Sequence, residues 1–332
     1  MGSQHGTANP IQLNWKNDIV NESSLAFVDW NALQEFAIGV KRHCSNHDSI
    51  ISCKLSAEYN MGGLHVVRRL DFQDGTSWVA RLQQQKATTN SIQRLLQEVY
   101  TIEVIRQRTK IPVPEIIGYD AEYDNKVGVA FMILEFIPAD TAMDSFGGWL
   151  AHKGQIPSNL KPDFHVAMAD IQVDMASVRF PKIGSIVKLS DGTYSVGAIP
   201  GIGGPFDTAA EFFCSWAKTC KFPFDESTIR ERTTLEVGDE IIKSINDFPL
   251  QLQEFAKHFP FQSGPFPIFH TDLKISNILV DYGCRIQSVI DWEDAIVAPW
   301  EVVEFIKDLT IVPPVMSGRF YKKELTREKL AE

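Results

Sequence analysis

Residues 269–294 read FHTDLKISNILVDYGCRIQSVIDWED and hold five Asp or Glu, one His and one Asn among short apolar runs. Apolar runs of this length suit buried strands, and buried strands tolerate carboxylates only where these have partners or a use. PIF (267–269) reads as one strand, HTDLKIS as a polar loop and NILV as a second strand. Asp281-Tyr282-Gly283 then turns the chain and RIQSVI forms a third strand. Asp272 and Asn277 bracket one loop, and Asp291 ends the strand after the turn, so all three can converge at one end of a hairpin. Two carboxylates and a carboxamide near Lys274 suit one task. They hold a divalent cation on phosphate oxygens and orient a hydroxyl nucleophile. Phosphoryl transfer asks for little else: a base or orienting Asp, metal ligands, and a cation on the phosphates.

The elements that must position this loop can be read in order. Residues 1–25 look like a polar, loosely ordered lead-in, and 26–42 (AFVDWNALQEFAIGVKR) read as an amphipathic helix. From residue 50 the pattern changes to three short strands with turns at NMGG and FQDGTS, where Asp74-Gly75 is a hairpin signal. SIQRLLQEVYTIEVIRQR places Ile92, Leu95, Leu96, Val99, Ile102 and Ile105 at helical spacing, and Pro112 and Pro114 stop the helix. IIGYDA and VGVAFMILEFI read as two more strands. From 138 the chain is mostly helical: FHVAMADIQVDMASVRF has a helical period, and TAAEFFCSWAK opens with a Thr208…Glu211 capping box. TIRERTTLEVGDEIIKSINDFPLQLQEFAKHF is a long pattern broken near Pro249. The expected organisation is a lead-in and helix (1–49), a small sheet lobe (50–137) and a helical lobe (138–332) carrying the catalytic loop and hairpin, with the ligand site between the lobes.

The order and spacing Asp272-x-Lys274-x-x-Asn277, followed by an Asp at the end of the next hairpin, match a kinase catalytic loop and its metal-binding Asp. On these residues the chain resembles the aminoglycoside phosphotransferase-like kinases, in particular the fungal branch of the phosphotransferase enzyme family. The matching stretches are His270-Thr-Asp272, Asn277-Ile-Leu-Val-Asp281 and Val289-Ile-Asp291-Trp292-Glu293. Weaker echoes follow in the right order at Trp78-Val-Ala-Arg81-Leu, Glu98-Val, Ile111-Pro-Val-Pro114 and SVRFPKIGSI (177–186), so the likeness runs from about residue 50 to 305.

The resemblance implies an α+β, protein-kinase-like two-lobed fold with a small antiparallel-sheet lobe and a mostly helical lobe. It implies ATP and Mg²⁺, with Asp272 as catalytic base or hydroxyl-orienting residue and Asn277 and Asp291 as metal ligands. Arg81 would touch nucleotide phosphates, where most kinases carry Lys, and pair with Glu98. The linker Leu134–Ile137, with Glu135 and Ile137, would offer backbone groups to adenine. Arg81 is a departure that keeps the chemistry, because a guanidinium makes forked contacts to phosphate and carboxylate. From the residues alone, Glu98 lies at the edge of an apolar helix face and wants a cation. Arg94, one turn earlier, is the rival partner to Arg81. Gly62 and Gly63 stand where a phosphate-covering turn belongs, without a full G-x-G-x-x-G, so a plain hairpin turn remains an equal reading. His270 is either a base or a structural His that positions Asp272, and the structural role is the better reading. Lys274 either contacts the transferring phosphate or neutralises Asp272. Asp281 reads as serving its own turn, and Glu293 is open as a further ligand.

Other features exclude whole classes. A net charge of −10 argues against general nucleic-acid binding. The longest apolar run, VGVAFMIL (127–134), is far too short to span a bilayer, and no secretory leader pattern is read at the N-terminus. Five irregularly spaced cysteines read as free thiols of a cytoplasmic protein. RHCSNHD (His43, Cys44, His47) reads as a polar helix end rather than a metal site. GIGGPF (201–206) lacks the third glycine of a dinucleotide fingerprint and reads as a loop before the Thr208-capped helix.

Three activities fit the chain: transfer of phosphate to a small hydroxylated molecule, a kinase-like binding or scaffold protein with little activity, and a protein kinase. The last fits worst, because Trp-Glu follows Asp291 instead of Phe-Gly, no A-P-E lies downstream, and only 41 residues remain. The charged helical end KKELTREKLAE stands where chains of the family often continue, which leaves the completeness of the acceptor side open. Asp140, Asp144, Asp207 and Glu211 are candidates for an amine-bearing acceptor, although surface acids are the simpler reading.

Overall fold

The computed structural model describes residues 13, 15–16, 25–44, 51–148, 156–258 and 263–303. His47 and the charged end at 322–332 lie outside the described residues. The fold is α+β with two lobes.

In the first lobe, strands β1 (Cys53–Met61), β2 (His65–Phe72), β3 (Ser77–Gln83), β4 (Ile116–Asp120) and β5 (Phe131–Glu135) form one antiparallel sheet in the order β1-β2-β3-β5-β4. Alternation along β3 divides its side chains: Trp78, Ala80 and Leu82 are buried on one face, leaving Val79 and Arg81 on the other. Helix α1 (Trp30–Cys44) covers the first face with Leu33 and Ala37, and its Phe36 meets Phe131 edge to face at 5.0 Å. It is therefore part of the sheet lobe, not of a separate lead-in as the sequence suggested.

Helix α2 (Thr89–Arg108) covers the other face. Its start is fixed by a reciprocal cap in which Thr88 Oγ1 accepts the Ser91 N–H and Ser91 Oγ accepts the Thr88 N–H. Leu95 and Val99 pack on Ala130 and Met132 of the sheet, while Ile102, Val104 and Ile105 join the core of the second lobe. Glu98 lies between Leu95 and Val99, on the turn of α2 that precedes Ile102.

The second lobe carries helices at Lys161–Ser177, Ala209–Thr219, Glu226–Arg232 and Leu235–Ala256. The Thr208…Glu211 capping box forms as expected. Pro249 does not break its helix, which runs from Leu235 through it to Ala256; the interruption lies instead at Thr233–Thr234. A hairpin absent from the sequence reading, β8 (Ser185–Lys188) with β9 (Tyr194–Gly197), interrupts this helical half. β10 (Phe266–Phe269) lies between the short strands β7 (Arg179–Phe180) and β13 (Ile296–Val297), with Phe266 and Ile268 fully buried. β11 (Ile278–Val280) and β12 (Ile286–Val289) form the expected hairpin, and β6 (Asp140–Thr141), just past the linker, pairs with β11. Asp281 serves its own turn: its Oδ1 accepts the N–H groups of Gly283 (2.9 Å) and Arg285 (3.0 Å).

Candidate active site

The segment between β10 and β11 is held from beneath by His270. This residue is 1% exposed. Its Nδ1 accepts the Asp272 N–H at 3.2 Å, which leaves Nε2 to donate to Ile290 O at 3.1 Å. Burial lowers the pKa of the ring, and the two bonds require only the neutral form. With both nitrogens engaged below the loop, His270 positions Asp272 and is not placed as a base. Asn277 donates its amide hydrogens to Asp272 O (2.9 Å) and Asp272 Oδ2 (3.1 Å), while Lys274 pairs with Asp272 Oδ1. The carboxylate is thus gripped from two sides yet stays 44% exposed.

Asp291 follows β12 in a left-handed conformation (φ 64°), and so does Asp294 (φ 62°). Aspartate tolerates this region better than most residues. Between them Trp292 is 1% exposed, donates Nε1 to Val289 O at 3.1 Å, and lies 4.8 Å from the His270 ring. An indole driven into the core fixes the turn, so its neighbours Asp291 and Glu293 emerge on the cleft side.

There they meet Arg81. Its Nη1 bonds Glu98, and its Nη2 lies 2.6 Å from Asp291 Oδ1 and 3.3 Å from Glu293 Oε2. Arg94 turns away from Glu98; it binds Asp294 and comes within 3.4 Å of Glu293. Of the two candidate partners for Glu98, the structure therefore selects Arg81. Two guanidiniums face four carboxylates here, so the cluster holds an excess of negative charge. Burial pushes Glu98 up to about 7, against the pull of Arg81. Burial works against the Arg81 guanidinium too, but Glu98, Asp291 and Glu293 together raise its pKa and keep it charged. His65, which the sequence reading passed over, sits 3.5 Å from Glu293. Burial, then Arg81 and Arg94, lower it to about 3, so it is neutral and makes no true ion pair with that glutamate.

A cavity of about 870 Å³ opens between the lobes. Arg81, Glu98, Asn277, Asp291, Glu293, Gly62, Gly63, Glu135 and Ile137 all line it. Asp272 adjoins it through Asn277, and Lys274 through Asp272. Val67, Val79, Leu134, Phe136 and Ile290 give it an apolar end, which suits a flat heteroaromatic ring. At the linker, Glu135 N–H already donates to Glu115 O and Ile137 O accepts from Ala139, leaving fewer backbone groups for a ligand than the sequence suggested. A Cβ added at Gly62 or Gly63 would meet nothing within 4 Å, and neither residue has positive φ. The turn itself does not require glycine there, whereas a ligand approaching the backbone closely would. Asp140 and Asp144 line the cavity. Asp207 instead pairs with Lys182, and Glu211 caps its helix.

The residues fit a small hard cation. With both Asn277 amide hydrogens donated, its oxygen remains as a ligand, and Asp291 adds a carboxylate on an over-acidic wall. Among the described residues no group of three or more His, Cys, Asp or Glu could by itself hold a metal ion. An ion here would complete its shell with phosphate oxygens and water, as Mg²⁺ commonly does. No helix of the described residues is long and apolar enough to cross a membrane.

The family model described as "Phosphotransferase enzyme family" matches residues 63–302. A subtelomeric hrmA-associated cluster protein of Aspergillus fumigatus is 23% identical over 315 residues, covering 74% of this chain and 58% of the relative. The chain thus spans less than two thirds of that relative's length. Among solved structures, a thermostable mutant of aminoglycoside phosphotransferase APH(4)-Ia, bound to ADP and hygromycin B, is 17% identical with a TM-score of 0.47. That match covers 81% of this chain and 73% of the other. A macrolide 2'-phosphotransferase of Brachybacterium faecium is 15% identical with a TM-score of 0.43, covering 83% and 80%.

Proposed function

The chain belongs to the phosphotransferase enzyme family, and on that premise we propose that it moves the terminal phosphoryl group of ATP to a hydroxyl of a small molecule. One observation carries this reading. The Arg81 guanidinium joins Glu98 of α2 to Asp291, which lies 210 residues from Arg81 in the chain, within the same cavity as Asn277. Such a fork supports a site for a phosphate chain and its cation.

The roles follow from the contacts. The apolar end takes the adenine, and Arg81, steadied by Glu98, reaches the phosphates. Asn277 and Asp291 would hold Mg²⁺, which when bound neutralises charge developing on the phosphate oxygens. Asp272 orients the acceptor hydroxyl and takes its proton as the oxygen bonds to phosphorus. The bond from that phosphorus to the ADP oxygen breaks, and its electron pair leaves with ADP. Lys274 and Asn277 fix the Asp272 carboxylate, and Lys274 balances its charge until the proton arrives. The acceptor meets this carboxylate from the exposed side.

The test is thermal stabilisation by ATP, with and without Mg²⁺, for wild type and Asp291→Asn. Stabilisation that needs Mg²⁺ and is lost in the variant is expected; none in wild type would sink the reading. A panel of small hydroxylated compounds, with Asp272→Ala as control, then separates transfer from binding alone.

A further inference from the structure

Leu13, Trp15 and Lys16, in what the sequence presents as a loose polar lead-in, line the cleft. Lys16 and Tyr59 exchange both backbone hydrogen bonds, Lys16 N–H to Tyr59 O at 2.8 Å and Tyr59 N–H to Lys16 O at 2.9 Å. This antiparallel bridge adds a piece of strand outside β1, at the edge of the sheet. Residues opposed in an antiparallel pair share a face, and each step along one chain is a step back along the other. Counting from Lys16 and Tyr59, Trp15 stands opposite Asn60 and Leu13 opposite Gly62.

The row continues across the sheet, since Asn60 opposes Val67 and Val67 opposes Arg81. Trp15, Asn60, Val67 and Arg81 all line the cavity. Trp15 is half-buried, yet among the described residues it belongs to none of the three apolar clusters. An indole held at a cleft and outside the apolar clusters of the described residues is available to a ligand. It also stands beside the weakest part of the cleft wall. The Gly62–Gly63 turn offers no side chains there and is shorter than a full glycine-rich loop.

We propose that Trp15 is a ligand-contacting residue that closes the outer edge of the cleft against the nucleoside part of the bound nucleotide. This rests on the reading of the cleft as an ATP site. The indole gives a flat, apolar face with one N–H donor, suited to a sugar or base and indifferent to phosphate. Aromatic stacking of this kind alters affinity by about tenfold on alanine substitution.

The experiment uses the full chain as wild type, Trp15→Phe and Trp15→Ala, with calorimetric titration by ATP and, separately, by inorganic tripolyphosphate. Urea unfolding of each chain serves as the fold control. Trp15→Ala is expected to raise the Kd for ATP about tenfold, Trp15→Phe to stay near wild type, and tripolyphosphate to bind all three alike. An unchanged Kd for ATP in Trp15→Ala overturns the proposal, as does an equal loss for ATP and tripolyphosphate. Failure of wild type to bind ATP is a different result: it removes the ATP-site reading on which the proposal stands.

Discussion

Glu98→Gln removes one negative charge from the cleft and changes its shape very little. Glu98 is 3% exposed, and burial pushes its carboxyl from the ordinary 4.5 up to about 7. A carboxyl raised in the folded state supports folding fully only below its unfolded value, and that support is lost as pH rises through the folded value. Each tenfold step in proton affinity is worth about 1.4 kcal/mol, so wild type should lose up to about 3 kcal/mol between the two values. Glutamine cannot ionise, so the variant escapes this slope. Urea midpoints of the two chains should agree near pH 4.5 and then diverge. By pH 8 the variant should be the more stable by up to about 3 kcal/mol. Comparing the two chains at each pH cancels the titrating groups that do not interact with Glu98. The same substitution deprives Arg81 of a charged anchor, and the affinity for ATP with Mg²⁺ should fall about tenfold. A variant less stable than wild type at pH 8 would mean that the attraction of Arg81 outweighs burial, and the reasoning would be refuted.

Three further outcomes are expected. Asp272→Asn should cut transfer by about 10²–10⁴-fold while leaving the urea midpoint and ATP binding near wild type, because its carboxylate is 44% exposed; a similar loss of ATP binding would count against its role at the acceptor. Trp292→Ala should destabilise by about 3–5 kcal/mol in urea unfolding, since a fully buried indole, its hydrogen bond and its contact with His270 are lost together. His65 is lowered from 6.5 to about 3, so folding loses stability as pH falls below 6.5; His65→Asn should flatten the wild-type stability curve between pH 6.5 and 4, and parallel curves would show that His65 does not titrate as argued.

The sequence was most informative where chemistry and spacing coincide. Asp272, Asn277 and Asp291 are near one another along the chain, joined by strands whose apolar pattern is plain, so their meeting could be anticipated. The pairing of Arg81 with Glu98 needed a family resemblance to choose between two arginines, because helical spacing equally allowed Arg94. Glu293 and His65 join the same cluster through folding across more than 200 residues, and no local pattern announces that. Asp191-Gly192 carried the same hairpin signal as Asp74-Gly75 but was submerged in a helical region; Gly192 does take positive φ. Pro249 misled in the opposite direction. Its missing N–H removes one helical bond, but Phe248 beside it packs on Trp216 at 5.6 Å and Phe222 at 5.9 Å. Those contacts hold the helix on course.

The fork at Arg81 has a bearing on how ligands arrive. While Arg81 and Asp291 hold one another at 2.6 Å, a phosphate chain alone must draw the guanidinium away and leave Asp291 without its cation. A metal ion alone must draw Asp291 away and leave Arg81 short of an anion. Arriving together, each supplies the partner that the other displaces. On the proposed reading, nucleotide and Mg²⁺ therefore enter with positive cooperativity, each tightening the other's binding by the same factor.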